Sequence, residues 1–146
     1  GSTSSSSGSS NDAAGWSLET GSDNIILGVQ AGYQATNTIN NVILGTNAGS
    51  SITSAGNNIL MGTNAGSHLN TIGQSVMIGT NAGQNNTNGN AVFIGHNAGV
   101  KNNDPQGFAI GYSAGSNVSG QFNMFMGYNS GGLPKLNTLA TVSCPG

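Results

Sequence analysis

The side chains able to do acid–base, nucleophilic or metal chemistry are few and scattered in this chain. The carboxylates are Asp12, Glu19, Asp23 and Asp104, and three of them fall in or beside the first 22 residues. No carboxylate pair recurs at a spacing that would let one act as general acid and the other as base. His68 and His96 stand in unlike contexts, "GSHLN" and "GHNAG", and read as surface or rim histidines rather than a base or ligand. Serines are abundant, but none is accompanied by a positioned His and acid, so they read as turn residues. Cys144 is the only cysteine, which excludes an internal disulfide; it reads as a free thiol, with a cross-link to a neighbouring chain as the alternative. The expectation is a protein that is not an enzyme and holds no metal or cofactor.

What the chain has in quantity is amide, hydroxyl and glycine. Charged residues make up 4% of it, the formal net charge is −2, and Lys101 and Lys135 are the only cations. Such a chain cannot neutralise a run of phosphates or settle on anionic lipid, so nucleic acid and membrane surface are poor partners. No apolar run approaches the ~20 residues of a membrane span, and "GSTSSSSGSS" lacks the basic and apolar regions of a signal peptide. The absence of an initiating Met reads as a processed product or a segment of something longer.

These side chains are distributed by a repeat. "VILGTNAGS" (42–50), "ILMGTNAGS" (59–67) and "VMIGTNAGQ" (76–84) are three of seven copies aligned on Gly28, Gly45, Gly62, Gly79, Gly95, Gly111 and Gly127, at spacings of 17, 17, 17, 16, 16 and 16 residues. A second glycine follows four residues later in every copy, from Gly32 to Gly131. A period this regular marks a quasi-one-dimensional array. Three parts follow: a Ser/Gly-rich lead or linker (1–22), the seven repeats (23–132), and a C-terminal cap or junction (133–146) that leaves the period at Gly131, Gly132 and Pro134.

The three residues before each first glycine are apolar, a short strand bounded by Gly and Asn and too brief for a helix. The glycine pair supplies a corner, since only Gly enters positive φ without a steric penalty. The polar remainder of each repeat reads as a second short strand and a return turn. At ~3.3 Å per residue one repeat makes one flat coil, and seven coils stacked at ~4.8 Å give an all-β, parallel β-solenoid roughly 33 Å long. On a strand the side chains alternate, so with the first and third apolar positions filling the coil the middle one faces out. That assigns an outward stripe of Ile26, Ile43, Leu60, Met77, Phe93, Ala109 and Phe125. Such a stripe exceeds what soluble monomers usually expose and reads as an oligomer interface, which Leu60→Asp with Met77→Asp would disrupt.

In register, Asn47, Asn64, Asn81, Asn97 and Asn129 read as an Asn ladder bonded from rung to rung. The neighbouring slot runs Thr46, Thr63, Thr80, His96, Tyr112, Tyr128. Its threonines form a row of the kind that orders water on an ice-binding face, while His96, Tyr112 and Tyr128 are candidates for glycan or receptor contact. The Gly28-x-x-x-Gly32 spacing fits corner geometry rather than membrane-helix packing, since its flanks are polar. "GTNAGS" is a phosphate loop without its lysine. The sequons at Asn85 and Asn117 read as chance in so Asn-rich a chain, and turns lacking Asp exclude calcium-binding repeats.

The stretch "NNVILGTNAGSSITSAGNNILMGTNAG" (40–66) resembles the Asn/Gly-rich repeats of trimeric autotransporter adhesin heads and of phage tail-fibre and related virion-fibre shafts, over residues 23–132, three quarters of the chain. The repeat here is slightly longer than in adhesin heads and more Asn-rich, nearer the virion-fibre form. The resemblance implies a left-handed β-roll, three of which pack around a threefold axis, at an extracellular or virion surface. Three functional expectations stand together: a homotrimeric fibre segment with receptor or glycan attachment near Tyr112 and Tyr128, a filament whose coils stack end to end, and an ice-binding solenoid.

Overall fold

The computed structural model describes residues 3–4, 13–70, 73–102, 106–118, 120 and 122–131. Asp12, Asp104, Cys144, Gly132 and the segment 133–146 lie outside them. The chain is a parallel β-solenoid, with no helix among the described residues. After a two-residue strand β1 (Thr3–Ser4) come seven three-residue strands: β2 (Ile25–Leu27), β3 (Val42–Leu44), β4 (Ile59–Met61), β5 (Val76–Ile78), β6 (Val92–Ile94), β7 (Phe108–Ile110) and β8 (Met124–Met126). They pair in sequence order, all parallel, so that Ile26 stands over Ile43, Ile43 over Leu60 and Leu60 over Met77. Each repeat is one coil. Neighbouring coils are joined on every side: Val42 N–H donates to Asn58 C=O at 2.8 Å beside the strand, Gly49 N–H to Ala65 C=O at 2.9 Å past the corner, and Asn57 N–H to Ile39 C=O at 3.0 Å on the return.

The polar part of the repeat was expected to hold a second strand, but it is a run of turns and bends. The reason is its density of left-handed backbone. In the coil opened by Gly45, positive φ occurs at Gly45 (127°), Asn47 (57°), Gly49 (54°) and Asn57 (60°), so the chain turns before an extended run can form. Asn is the residue other than Gly that enters this region most readily, which explains why amides recur at these places. The first glycine is required for a further reason: a Cβ at Gly45 would stand 2.7 Å from the carbonyl carbon and oxygen of Gly62 on the next coil.

Strand parity is the reverse of the expectation. Ile26, Ile43, Leu60, Met77, Phe93 and Ala109 have no exposed surface, Phe125 has 6%, and the first and third residues of every strand face outward. The supposed outward interface is therefore the core of a single chain. Alternation runs past the strand at both ends, so Asn41, Ile43 and Gly45 share the inner side while Val42 and Leu44 share the outer. Across from the strand stands a column of buried alanines that includes Ala48, Ala65, Ala82 and Ala98, leaving room for one large side chain per coil. Rungs compensate one another in size: Ala109 lies between Phe93 and Phe125.

Buried amides satisfy the inner backbone, and they do so differently in the two coil lengths. In the 17-residue coils Asn24, Asn41 and Asn58 form an internal ladder. Asn41 Nδ2 donates to Asn24 Oδ1 (3.0 Å) and to Ala55 C=O (3.1 Å), while Asn24 Oδ1 also accepts from Asn41 N–H (3.0 Å). The next rung repeats the pattern, with Asn58 Nδ2 donating to Asn41 Oδ1 at 2.9 Å. In the 16-residue coils Ala91 and Gly107 take that place. The amide moves across the coil, to positions where Ile52 and Leu69 stood: Asn86 Nδ2 donates to Asn102 C=O at 2.7 Å and Asn102 Nδ2 to Gly115 C=O at 3.2 Å. Losing one residue changes which corner needs a donor. Among the described residues, Thr38 Oγ1 is the single buried side-chain polar atom left unbonded.

The boundary expected at residue 22 is not respected by the coil. Ala14-Gly15 repeats Ala31-Gly32 at the 17-residue period, Gly15 N–H donates to Ala31 C=O (2.8 Å) and Glu19 N–H to Thr36 C=O (3.0 Å), and Ala14 is buried with Leu18 packed beside it. Residues 13–22 are thus a degenerate coil covering one end of the stack, as an array needs at its termini.

Candidate assembly face

The reversed parity produces a wider apolar face than the expected stripe. The first and third residues of β2–β8 all point outward, which makes two parallel columns, seven rungs tall, with no charged or polar member. Seven strands at ~4.8 Å and three residues of width give a flat strip on the order of 300 Å². The six most exposed members, Ile25, Leu27, Ile59, Met61, Met124 and Met126, are 37–63% exposed. Together they equal roughly three fully exposed side chains, or about 4–8 kcal/mol of apolar transfer per chain if covered. Monomers rarely leave so regular a patch open.

Three polar columns flank the strip. On the N-terminal side of the strand lie left-handed amides such as Asn40, Asn57 and Asn90. On the other side Val29, Thr46, Thr63, Thr80, His96, Tyr112 and Tyr128 are all exposed. His96 stacks on Tyr112 with ring centroids 5.0 Å apart and planes 4° off parallel, and Tyr112 on Tyr128 at 5.2 Å and 14°. Tyr112 has a ring on each side, so it offers solvent its edge and hydroxyl rather than a face. One residue further on, Asn64 Nδ2 donates to Asn81 Oδ1 and Asn81 Nδ2 to Asn97 Oδ1, each at 3.0 Å. Asn47 and Asn129 stand in the same column, their N–H groups donating to Val29 C=O (2.9 Å) and Tyr112 C=O (2.8 Å).

The residues able to do chemistry are not brought together. His68 lies on another side of the coil, its Nδ1 2.8 Å from Gln84 C=O, remote in register from His96. No group of three or more His, Cys, Asp or Glu side chains converges among the described residues, and no helix there is long and apolar enough to cross a membrane. Two features escaped sequence reasoning: the inner ladder Asn24–Asn41–Asn58 and the outward columns themselves. A signal for both was present. Asn two residues before the middle apolar position and Gly two after it share its parity, and Gly at a stacked corner belongs inside. Compared with known proteins, the chain matches no family model, no curated protein and no solved structure.

Proposed function

We propose that this chain is a structural fibre segment, a rod that packs lengthwise against copies of itself to give mechanical reach in a virion appendage or a surface adhesin. The observation that carries the reading is the uncharged, two-column apolar strip running along all seven rungs of an otherwise polar solenoid. A second copy suits it better than an unrelated partner, because only the same rod repeats at the same rise over the same length. Side chains of two such faces can interdigitate at every rung, as stacked sheets do at ~10 Å separation. Two strips alone make a contact toward the small end of specific interfaces. An arrangement of three, the number its repeat resembles, lets each rod cover its strip against two neighbours and so supports a homotrimer over a dimer. The exposed His96–Tyr112–Tyr128 ladder is then the place for glycan or receptor attachment, at an extracellular or virion surface.

Sedimentation equilibrium tests this. The expected result is a closed species of three times the 14.4 kDa chain mass. Open-ended growth with concentration would replace the fibre segment by a filament subunit. A monomer at high concentration would overturn self-association and leave the flat face with its threonine row as an ice-binding surface, readable by thermal hysteresis.

A further inference from the structure

The last described coil departs from the others in its outward row. Elsewhere the residue three before the middle apolar position is Asp23, Asn40, Asn57, Gln74, Asn90 or Gln106, each at positive φ. In the last coil it is Phe122, at φ 58° and 67% exposed. A bulky aromatic side chain rarely adopts that conformation, and here it replaces residues that tolerate it better. Reading outward along this coil gives Phe122, Met124, Met126 and Tyr128, all exposed and none charged. The apolar face thus widens from two columns to four at this one rung.

We infer that the chain segment following this coil, residues 133–146, lies across the row Phe122–Met124–Met126–Tyr128 of its own chain and covers it. The widening is confined to the rung from which that segment departs, whereas a face meant for a second rod would be widened along its length. The segment "LPKLNTLATVSCPG" carries Leu133, Leu136, Leu139 and Val142 at intervals of three, enough aliphatic surface to cover four outward side chains. Its 14 residues reach up to ~45 Å when extended, ample to recross a coil from the corner at Gly131. Tethering also gives it a local concentration of the order of millimolar, which a free copy in dilute solution does not match. The solenoid is then closed at this end by its own chain, as residues 13–22 close the other. This inference does not rest on self-association of the rods.

Cys144 and the methionines provide the test in the full chain. Cys144 is the only cysteine, and Met61, Met77, Met124 and Met126 are the only methionines. With a nitroxide on Cys144 and carbon-13 methionine methyl groups, broadening should be strongest at Met124 and Met126. It should fall steeply toward Met61, four rungs and ~19 Å away along the stack. Equal broadening of all four, or none, would overturn the inference. So would broadening that appears only when nitroxide-labelled chains are mixed with carbon-13 Cys144→Ser chains, since the covering segment would then come from another copy. Phe122→Asn with Tyr128→Thr restores residue types found elsewhere in the same columns and should leave the coil folded. In that variant the broadening should drop several-fold, and unchanged broadening would again overturn the inference.

Discussion

A charge placed outside the coil and a methyl group deleted inside it should give opposite phenotypes one residue apart. Ile59 and Met61 are 39% and 37% exposed, whereas Leu60 between them has no exposed surface. Ile59→Lys with Met61→Lys keeps the apolar stems against the sheet while the ammonium groups reach water. Mutual repulsion of the two lysines across ~7 Å of water is about 0.6 kcal/mol, so a single rod should lose little stability. In the assembled state the same ammonium groups would be buried without partners, at a cost of several kcal/mol in each chain, which exceeds what one rung of the strip contributes. Leu60→Ala instead opens a cavity against Ile43 and Met77, costing about 2–5 kcal/mol, and should lower the melting temperature by on the order of 10 °C. Sedimentation velocity and thermal unfolding, run on both variants over a range of concentrations, separate the two effects. Retention of assembly mass by the double lysine variant, or a melting temperature unmoved by Leu60→Ala, would refute the assignment of the two sides.

Asn41→Ala removes the donor to Ala55 C=O and the acceptor that Asn58 uses, and should destabilise by about 2–4 kcal/mol in denaturant unfolding, whereas Asn64→Ala on the outer ladder should cost about 1 kcal/mol. Gly45→Ala meets the Gly62 carbonyl and should cost about 3 kcal/mol or more. Gly127→Ala meets nothing within 4 Å and suffers only its φ of 112°, so its melting temperature should fall much less. Tyr112→Ala breaks both ring contacts and should cost about 1–3 kcal/mol while leaving the sedimentation mass unchanged; loss of assembly would move the aromatic ladder into the interface.

The period, the strand before each first glycine, the parallel stacking and the corner positions were legible because each repeats with the same residue types. Asn47, Asn64 and their column were legible for the same reason. The Ala14-Gly15 coil was hidden because only its corner pair survives among serines, and the glycine that should open it is Asn11. The missing second strand was hidden because propensity does not reveal how many left-handed residues a coil must hold.

By itself the sequence determined a one-dimensional array: Gly and Asn at fixed intervals dictate where the backbone turns, and a period of 16 or 17 residues dictates one coil per repeat. The tertiary structure decided which side of each strand is the inside. Three consecutive apolar residues satisfy either parity. Only the width of the closed coil, filled opposite the strand by Ala48, Ala65 and their column and beside it by Asn41 and Asn58, selects the middle residue for the core and turns the other two into a face. Interior volume is a property of the whole coil, and no single repeat contains it.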